Sequence, residues 1–160
     1  MRPLTLFYAW QMDHPSRICR DFIRRALDDA VAHLALEGIA LKIDSDTQGI
    51  SGTPHVSDTI LQKIRDCDLF LADVTFVAQA GDKLIPNPNV MTEYGYAMRG
   101  MSMRRVLLAM NTAFGGPKQL PFDLGHLRHP AQYEVAADMP DGARRAARTA
   151  FGAELATYIL

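Results

Sequence analysis

The sequence predicts a three-layer α/β domain with a central parallel sheet of about five strands. Short apolar runs alternate with segments whose apolar residues recur at helical spacing, and right-handed crossovers between parallel strands place helices on both faces of a sheet. No repeat, linker or low-complexity stretch interrupts this pattern in the 160 residues. We therefore expect a single domain over residues 1–160, with the flavodoxin-like strand order 2-1-3-4-5.

The predicted elements follow from local patterns. Apolar runs bounded by turn residues predict strands at Leu4–Ala9, Ile39–Ile43, Asp68–Val74 and Arg105–Met110, and a short one near Gln132–Val135. Helical spacing predicts helices over Ser16–Glu37, Val56–Ile64, Ile85–Gly100 and Asp141–Tyr158. Gly38 ends the first helix, and the stretch that contains Gly81, Pro86 and Pro88 is expected to be a loop.

Composition narrows the class of function. The 17 basic and 18 acidic residues are mixed along the chain, so no basic tract favours nucleic acid or an anionic membrane, and a small-molecule or protein partner is expected. No apolar run approaches the roughly 20 residues that span a bilayer, which predicts a cytoplasmic protein. Cys19 and Cys67 are too far apart for zinc spacing and are expected to be buried thiols. The histidines form no metal-binding motif, so no metal site is expected.

Known phosphate-binding motifs are absent from the predicted strand ends. Neither GxxxxGK[ST] nor GxGxxG follows the first strand. Asp73, at the end of the third strand, would suit a phosphoacceptor, but the acidic pair that would hold magnesium after the first strand is missing. A different chemistry is therefore expected at this edge.

Ligands of such sheets bind beyond the carboxyl ends of the strands, where the strand order reverses between strands one and three. The candidate binding residues at this edge are Tyr8, Trp10 and Gln11 after strand one, Asp44 and Thr47 after strand two, Asp73 and Thr75 after strand three, and Asn87 and Asn89 before the third helix. Tyr8 and Trp10 offer faces on which a base stacks. Arg17, at the start of the first helix, is a candidate phosphate ligand. The competing interpretations are loop capping for the acids, a core or lid role for the aromatic residues, and plain solvent exposure for Arg17.

Glu93 is the candidate catalytic residue. On a helical wheel it lies on the shoulder of an apolar arc formed by Val90, Tyr94, Ala97, Met98 and Met101. A carboxylate beside an apolar face at the ligand edge is partly desolvated, which raises its pKa and suits it to act as a nucleophile or an acid–base group. Asp44 and Asp73 are candidates for the second carboxylate of glycosyl chemistry. The alternative is a first-turn acid stabilised by the helix dipole and by a cap at Asn87 or Asn89, worth about 0.3–1 kcal/mol.

Five segments carry a resemblance to a known family: FYAWQ, DSDTQGISGTPHV, CDLFLADVTFV, NPNVMTEYGYA and LPFDL. From about Leu4 to Tyr133 the chain resembles bacterial TIR-like domains, the nucleotide-binding group with the flavodoxin-like TIR fold. The NPNVMTEYGYA segment is similar, more distantly, to the DxGTxxExGYA segment of nucleoside 2-deoxyribosyltransferases. Both families cleave the bond between a ribose-type C1 and a nitrogen base with a glutamate on this helix.

The resemblance implies a function and roles for the candidate residues. Glu93 would be the catalytic glutamate that releases nicotinamide from NAD, with NAD as the substrate and no cofactor. Tyr8 and Trp10 would flank the nicotinamide and its ribose, Asp44 and Asp73 would line the same cleft, and Asn87 and Asn89 would cap the helix. The resemblance also implies a homo-oligomer or an assembly with an activating partner, and a role in anti-phage immunity. Where the family helix carries a serine and a tryptophan-cysteine pair before its glutamate, this chain reads NVMT. A non-catalytic nucleotide-binding or assembly module and a deoxyribosyltransferase remain the alternatives.

Overall fold

The computed structural model describes residues 2–46, 56–121 and 129–160, which contain seven strands. The strands are β1 (Leu4–Ala9), β2 (Leu41–Asp44), β3 (Leu69–Asp73), β4 (Phe76–Ala80), β5 (Lys83–Pro86), β6 (Val106–Asn111) and β7 (Ala131–Tyr133). Five of them form a parallel sheet in the order β2-β1-β3-β6-β7, and β4 and β5 form a separate antiparallel hairpin. The predicted five-stranded parallel sheet and its order are confirmed.

Helices cover both faces of the sheet. They are α1 (Arg20–Leu36), α2 (Val56–Asp66), α3 (Pro88–Gly100) and α4 (Asp141–Ile159). Successive side chains of a strand point to opposite faces, so β1 sends Leu6 and Tyr8 into the core beneath α1 and α4, and Phe7 and Ala9 into the core beneath α2 and α3. This alternation decides which face each residue of β1 can serve.

Packing of α4 on α1 depends on a glycine. A Cβ added to Gly152 would lie 2.8 Å from the Asp29 Cβ and 2.9 Å from the Ala26 carbonyl oxygen, so only glycine allows this close approach. The ion pair between Arg148 Nε and Asp29 Oδ2, at 3.2 Å, lies at the same interface. The two helices are therefore held close together beneath one face of the sheet.

Several predicted bounds are corrected. Ser16–Ile18 is a 3-10 turn, and the first α-helix begins at Arg20. The stretch predicted as a loop after the third strand contains the β4–β5 hairpin, which turns at Gly81 with φ +58°, and the third helix begins at Pro88 instead of Ile85. Glycine, prolines and polar residues mark this stretch as a loop, whereas the hairpin depends on cross-strand pairing that local patterns do not report. The other strands match within one or two residues.

Both cysteines are buried free thiols, as predicted. Burial raises the pKa of the Cys19 thiol to about 12 and that of Cys67 to about 11. Neither thiol is therefore a reactive nucleophile at neutral pH.

Among the described helices, none combines the length and the apolar character that crossing a membrane requires.

Candidate functional site

A cavity of about 200 Å³ opens at the carboxyl end of β1, on the face of the sheet that α2 and α3 cover. It is lined by Phe7, Tyr8, Ala9, Trp10, Asp46, Ile60, Asn89 and Glu93. This is the sheet edge to which the strand-order rule assigned the ligand. Four of the predicted site residues line the cavity: Tyr8, Trp10, Asn89 and Glu93.

Glu93 contributes a carboxyl group with an unusual pKa. It is the sixth residue of α3, whose first turn contains no acid, so the interpretation of Glu93 as a first-turn acid does not hold. The side chain is half-buried, and burial, followed by the negative charge of Asp46, raises its pKa from 4.5 to about 7. Near neutral pH both its protonated and its ionised forms are populated, which is the condition for acid–base work.

Asp46 is the acid that sequence reasoning missed. It adopts the left-handed region at φ 51°, which aspartate tolerates better than most residues, and it lines the cavity with Glu93. Asp44, the predicted second carboxylate, is not among the lining residues. Its Oδ1 instead accepts hydrogen bonds from Lys63 Nζ at 2.8 Å and from the Ser45 backbone N–H at 2.9 Å. The sequence feature that could have identified Asp46 as a site residue is its position two residues beyond the end of β2, in the segment DSDTQG.

Asp73, Gln11 and Thr75 form a buried network instead of lining the cavity. Asp73 is fully buried and accepts hydrogen bonds from Gln11 Nε2 at 3.0 Å, from the Thr75 N–H at 3.0 Å and from Thr75 Oγ1 at 2.5 Å. Thr75 Oγ1 in turn accepts from the Asn111 backbone N–H at 2.9 Å. Burial raises the pKa of Asp73, and its hydrogen bonds oppose that rise. These three predicted ligands therefore hold strand ends and loops in place.

The same network reaches the start of α3. Gln11 Oε1 accepts from the Asp13 backbone N–H at 2.8 Å, and Asn87 Nδ2 donates to Asp13 Oδ2 at 2.6 Å. Asn87 Oδ1 accepts from the backbone N–H groups of Asn89 and Val90 at 2.9 and 3.1 Å, which caps the helix as predicted. Asn89 does not cap with its side chain, and it lines the cavity. A continuous set of hydrogen bonds thus joins buried Asp73 to the helix that carries Glu93.

His14 ties the loop after β1 to the hairpin. Its Nε2 donates to the Phe76 carbonyl oxygen at 2.8 Å, and its ring stacks on Phe114 with centroids 3.8 Å apart. No local sequence pattern indicates this role, because Phe76 lies more than sixty positions from His14 along the chain. Its contacts give it a structural role beside the site.

The two aromatic candidates differ in what they offer a ligand. Tyr8 is 1% exposed, its ring packs in the α1–α4 core and its hydroxyl donates to the Arg20 carbonyl oxygen at 3.3 Å, so it presents no ring face for a base. Trp10 is half-buried, lines the cavity, and has the Arg20 guanidinium 4.0 Å from its ring centroid. Trp10 is thus the aromatic residue at the site.

Arg17 and Thr47 lie outside this cavity for different reasons. Arg17 is exposed, donates from Nη2 to the Ala137 carbonyl oxygen at 2.8 Å, and lines a separate cavity between α1 and α4. Thr47 lies outside the described residues. The phosphate role predicted for Arg17 therefore does not belong to the Glu93 site.

Comparison with known proteins finds likenesses to solved structures at low sequence identity. No protein-family model and no curated protein matches the chain. Among solved structures, it is similar to the Clostridium botulinum CMP N-glycosidase BcmB, with 13% identity and a TM-score of 0.41 over 89% of this chain and 96% of that chain. It is also similar to rubredoxin oxygen:oxidoreductase from Desulfovibrio gigas, with 12% identity and a TM-score of 0.45 over 99% of this chain and 37% of that chain. At these TM-scores neither likeness identifies a family or a function, and the fold assignment stands on the sheet topology.

Proposed function

We propose that the protein cleaves the bond between the ribose C1′ and the nitrogen base of a nucleotide, with Glu93 as the catalytic residue. The observation that carries this proposal is the Glu93 carboxyl group, which has a pKa of about 7 and lies in a cavity at the carboxyl edge of the sheet. Perturbed carboxyl groups of this kind are concentrated at catalytic sites.

The chemistry follows from the charge that develops during bond cleavage. As the C1′–N bond breaks, its electron pair leaves with the base and C1′ becomes positively charged. An ionised carboxylate in a partly desolvated cavity stabilises that charge more strongly than it would in water. A water molecule then adds its oxygen to C1′ and releases a proton. In this proposal Glu93 stabilises the positive carbon and Asp46 adds negative charge at the same site.

We propose NAD as the substrate. The nicotinamide ring of NAD is cationic while it is attached to the ribose C1′, and it leaves as a neutral molecule. Cleavage therefore needs a carboxylate at C1′ and no general acid. The resemblance of the sequence to TIR-like domains supports this choice, and anti-phage immunity is the context that it implies. The cavity of about 200 Å³ is smaller than the roughly 300–1,000 Å³ of sites that enclose drug-sized ligands. We therefore propose that it receives only the nicotinamide–ribose end.

The test is nicotinamide release. The purified protein, at high concentration and with a crowding agent to favour assembly, is incubated with NAD, and nicotinamide is followed by chromatography. We expect Glu93→Gln to lose release by about 100-fold or more, the scale of removing one transition-state contact. Glu37→Gln, an exposed glutamate outside the cavity, is the matched control and should keep full activity. Equal turnover by Glu93→Gln and the wild-type protein would disprove the assignment.

The pH profile tests the substrate class. With NAD the active form has ionised Glu93, so kcat/KM should rise with pH and level off above about 7. For a nucleotide with a neutral base that must be protonated before it leaves, kcat/KM should instead fall as pH rises, because protonated Glu93 would then be the active form. NAD binding without nicotinamide release would identify a binding module, and base exchange on deoxynucleosides would identify a deoxyribosyltransferase.

A further inference from the structure

A second cavity, of about 230 Å³, lies between α1 and α4. Five arginines line it: Arg17, Arg25, Arg144, Arg145 and Arg148. Its other lining residues are Asp21, Phe22 and Asp141, so arginines clearly outnumber acids. The whole chain carries a formal charge of -1, which makes this cavity a local concentration of positive charge. It shares no lining residue with the Glu93 cavity.

Three of these arginines are held by protein contacts that use only part of each guanidinium. Arg17 donates from Nη2 to the Ala137 carbonyl oxygen at 2.8 Å, and Arg148 donates from Nε to Asp29 at 3.2 Å. Arg144 pairs with Asp141 at 2.5 Å. A guanidinium has five N–H donors, so each of the three keeps donors for a ligand. The Arg144 and Arg148 side chains are only 21% and 26% exposed, which restricts their motion.

The side chains of the other two arginines, Arg25 and Arg145, make no hydrogen bond or ion pair within residues 2–46, 56–121 and 129–160. Like charges that share a cavity repel, and a bound anion removes that repulsion. The first N–H groups of α4 have no side-chain cap, so the positive end of this helix adds to the field. Phe22, which is buried, contributes an apolar surface and no hydrogen-bonding group.

We propose that this cavity binds the diphosphate group of a small-molecule ligand. The planar guanidinium fork matches the spacing of phosphate oxygens, and several arginines together suit a group with more than one negative charge better than a single carboxylate. The arginines converge in one concave site instead of forming an extended stripe, which favours a small ligand over a nucleic-acid backbone. The chain therefore has a second ligand site, built from α1 and α4.

Titration calorimetry with inorganic pyrophosphate at moderate salt tests the proposal. The wild-type protein should bind, and the double variant Arg25→Gln/Arg145→Gln should bind about tenfold more weakly or worse, equivalent to about 1.4 kcal/mol. Arg24→Gln is the matched control, because Arg24 is on the same helix but pairs with Asp28 outside the cavity. It should bind like the wild-type protein. Since Arg25 and Arg145 are exposed, circular dichroism should show that the double variant remains folded.

Three results would overturn the proposal. The first is the absence of pyrophosphate binding to the wild-type protein, and the second is an equal loss of binding in the Arg24→Gln control. The third comes from a single-stranded oligonucleotide tested in parallel. Binding of the oligonucleotide that depends on Arg25 and Arg145 and that pyrophosphate does not displace would mean that the surface recognises a polymeric backbone.

Discussion

Replacing Glu93 with glutamine should stabilise the protein at neutral and alkaline pH. The carboxyl group is half-buried, and its burial is the main cause of a pKa near 7. The charge of Asp46 is the second cause. Glutamine has almost the same shape but no charge, so the substitution keeps the packing and removes the cost of an ionised group in the cavity.

Proton linkage gives the sign and the size of the stability difference between the wild-type protein and Glu93→Gln. Glu93 has an ordinary pKa of 4.5 and a folded pKa of about 7, so between these pH values the folded state binds more protons than the unfolded state. The stability of the wild-type protein therefore falls as pH rises through this window and stays reduced above it. At 1.36 kcal/mol per pKa unit the full effect is about 3 kcal/mol. Because the side chain keeps some contact with solvent, we expect about 1–2 kcal/mol.

Urea unfolding of the wild-type protein and Glu93→Gln at a series of pH values measures this difference, with the single tryptophan, Trp10, and far-UV circular dichroism as probes. The two proteins should be equally stable below about pH 4.5, and the variant should gain stability up to about pH 7 and hold it above. Asp46→Asn, a residue that also tolerates the left-handed backbone, should give a smaller gain of the same sign. A difference that does not change with pH, or a loss of stability above pH 7, would refute the reasoning.

Substitutions at three further positions test the α3 cap, the packing of α4 on α1 and the buried Tyr94 hydroxyl, with urea unfolding as the measurement. Asn87→Ala removes the cap of α3 and should lower the free energy of unfolding by about 0.5–2 kcal/mol. Asn87→Ser keeps a cap acceptor and should recover most of that stability. Gly152→Ala should lower the free energy of unfolding by about 1–3 kcal/mol, because the added methyl group crowds α1. Gly142→Ala, on the same helix but with open space around it, should be neutral or stabilising. Equal effects of the two substitutions would contradict the packing argument. Tyr94→Phe should cost nothing, because the buried Tyr94 hydroxyl has no hydrogen-bond partner among the described residues, and a loss above about 1 kcal/mol would reveal one.

The position of Glu93 illustrates how far local patterns reach. Periodicity placed Val90, Tyr94 and Ala97 on the apolar arc of α3, and all three are buried. The strand-order rule assigned the ligand to the carboxyl edge between strands one and three; the Glu93 cavity opens at that edge, at the carboxyl end of β1, but none of its lining residues belongs to β3. The first inference succeeds because the helix period is set by residues close in sequence. The second succeeds because right-handed crossovers restrict how alternating strands and helices can build a parallel sheet.

Local sequence patterns did not predict which carboxylate accompanies Glu93 in the cavity. Asp44 and Asp46 are two positions apart and chemically identical, yet Lys63 of α2 pairs with Asp44 while Asp46 turns into the cavity at φ 51°. Asp73 resembled a catalytic acid in sequence, and its partners Gln11 and Thr75 make it a buried structural group. These outcomes depend on which distant side chains satisfy each carboxylate, and a buried acid requires such partners.

The sequence by itself determined the order of the strands, the helix that carries Glu93, a cap at Asn87 or Asn89 and the edge at which a ligand would bind, because each depends on short-range periodicity, capping and chain topology. Only the tertiary structure decided that Tyr8 faces the opposite core, that Asp46 shares the cavity with Glu93, and that arginines of α1 and α4 converge. The physical reason is that side-chain direction, burial and charge coupling arise when elements far apart in sequence pack together. Those same contacts raise the pKa of Glu93 to about 7.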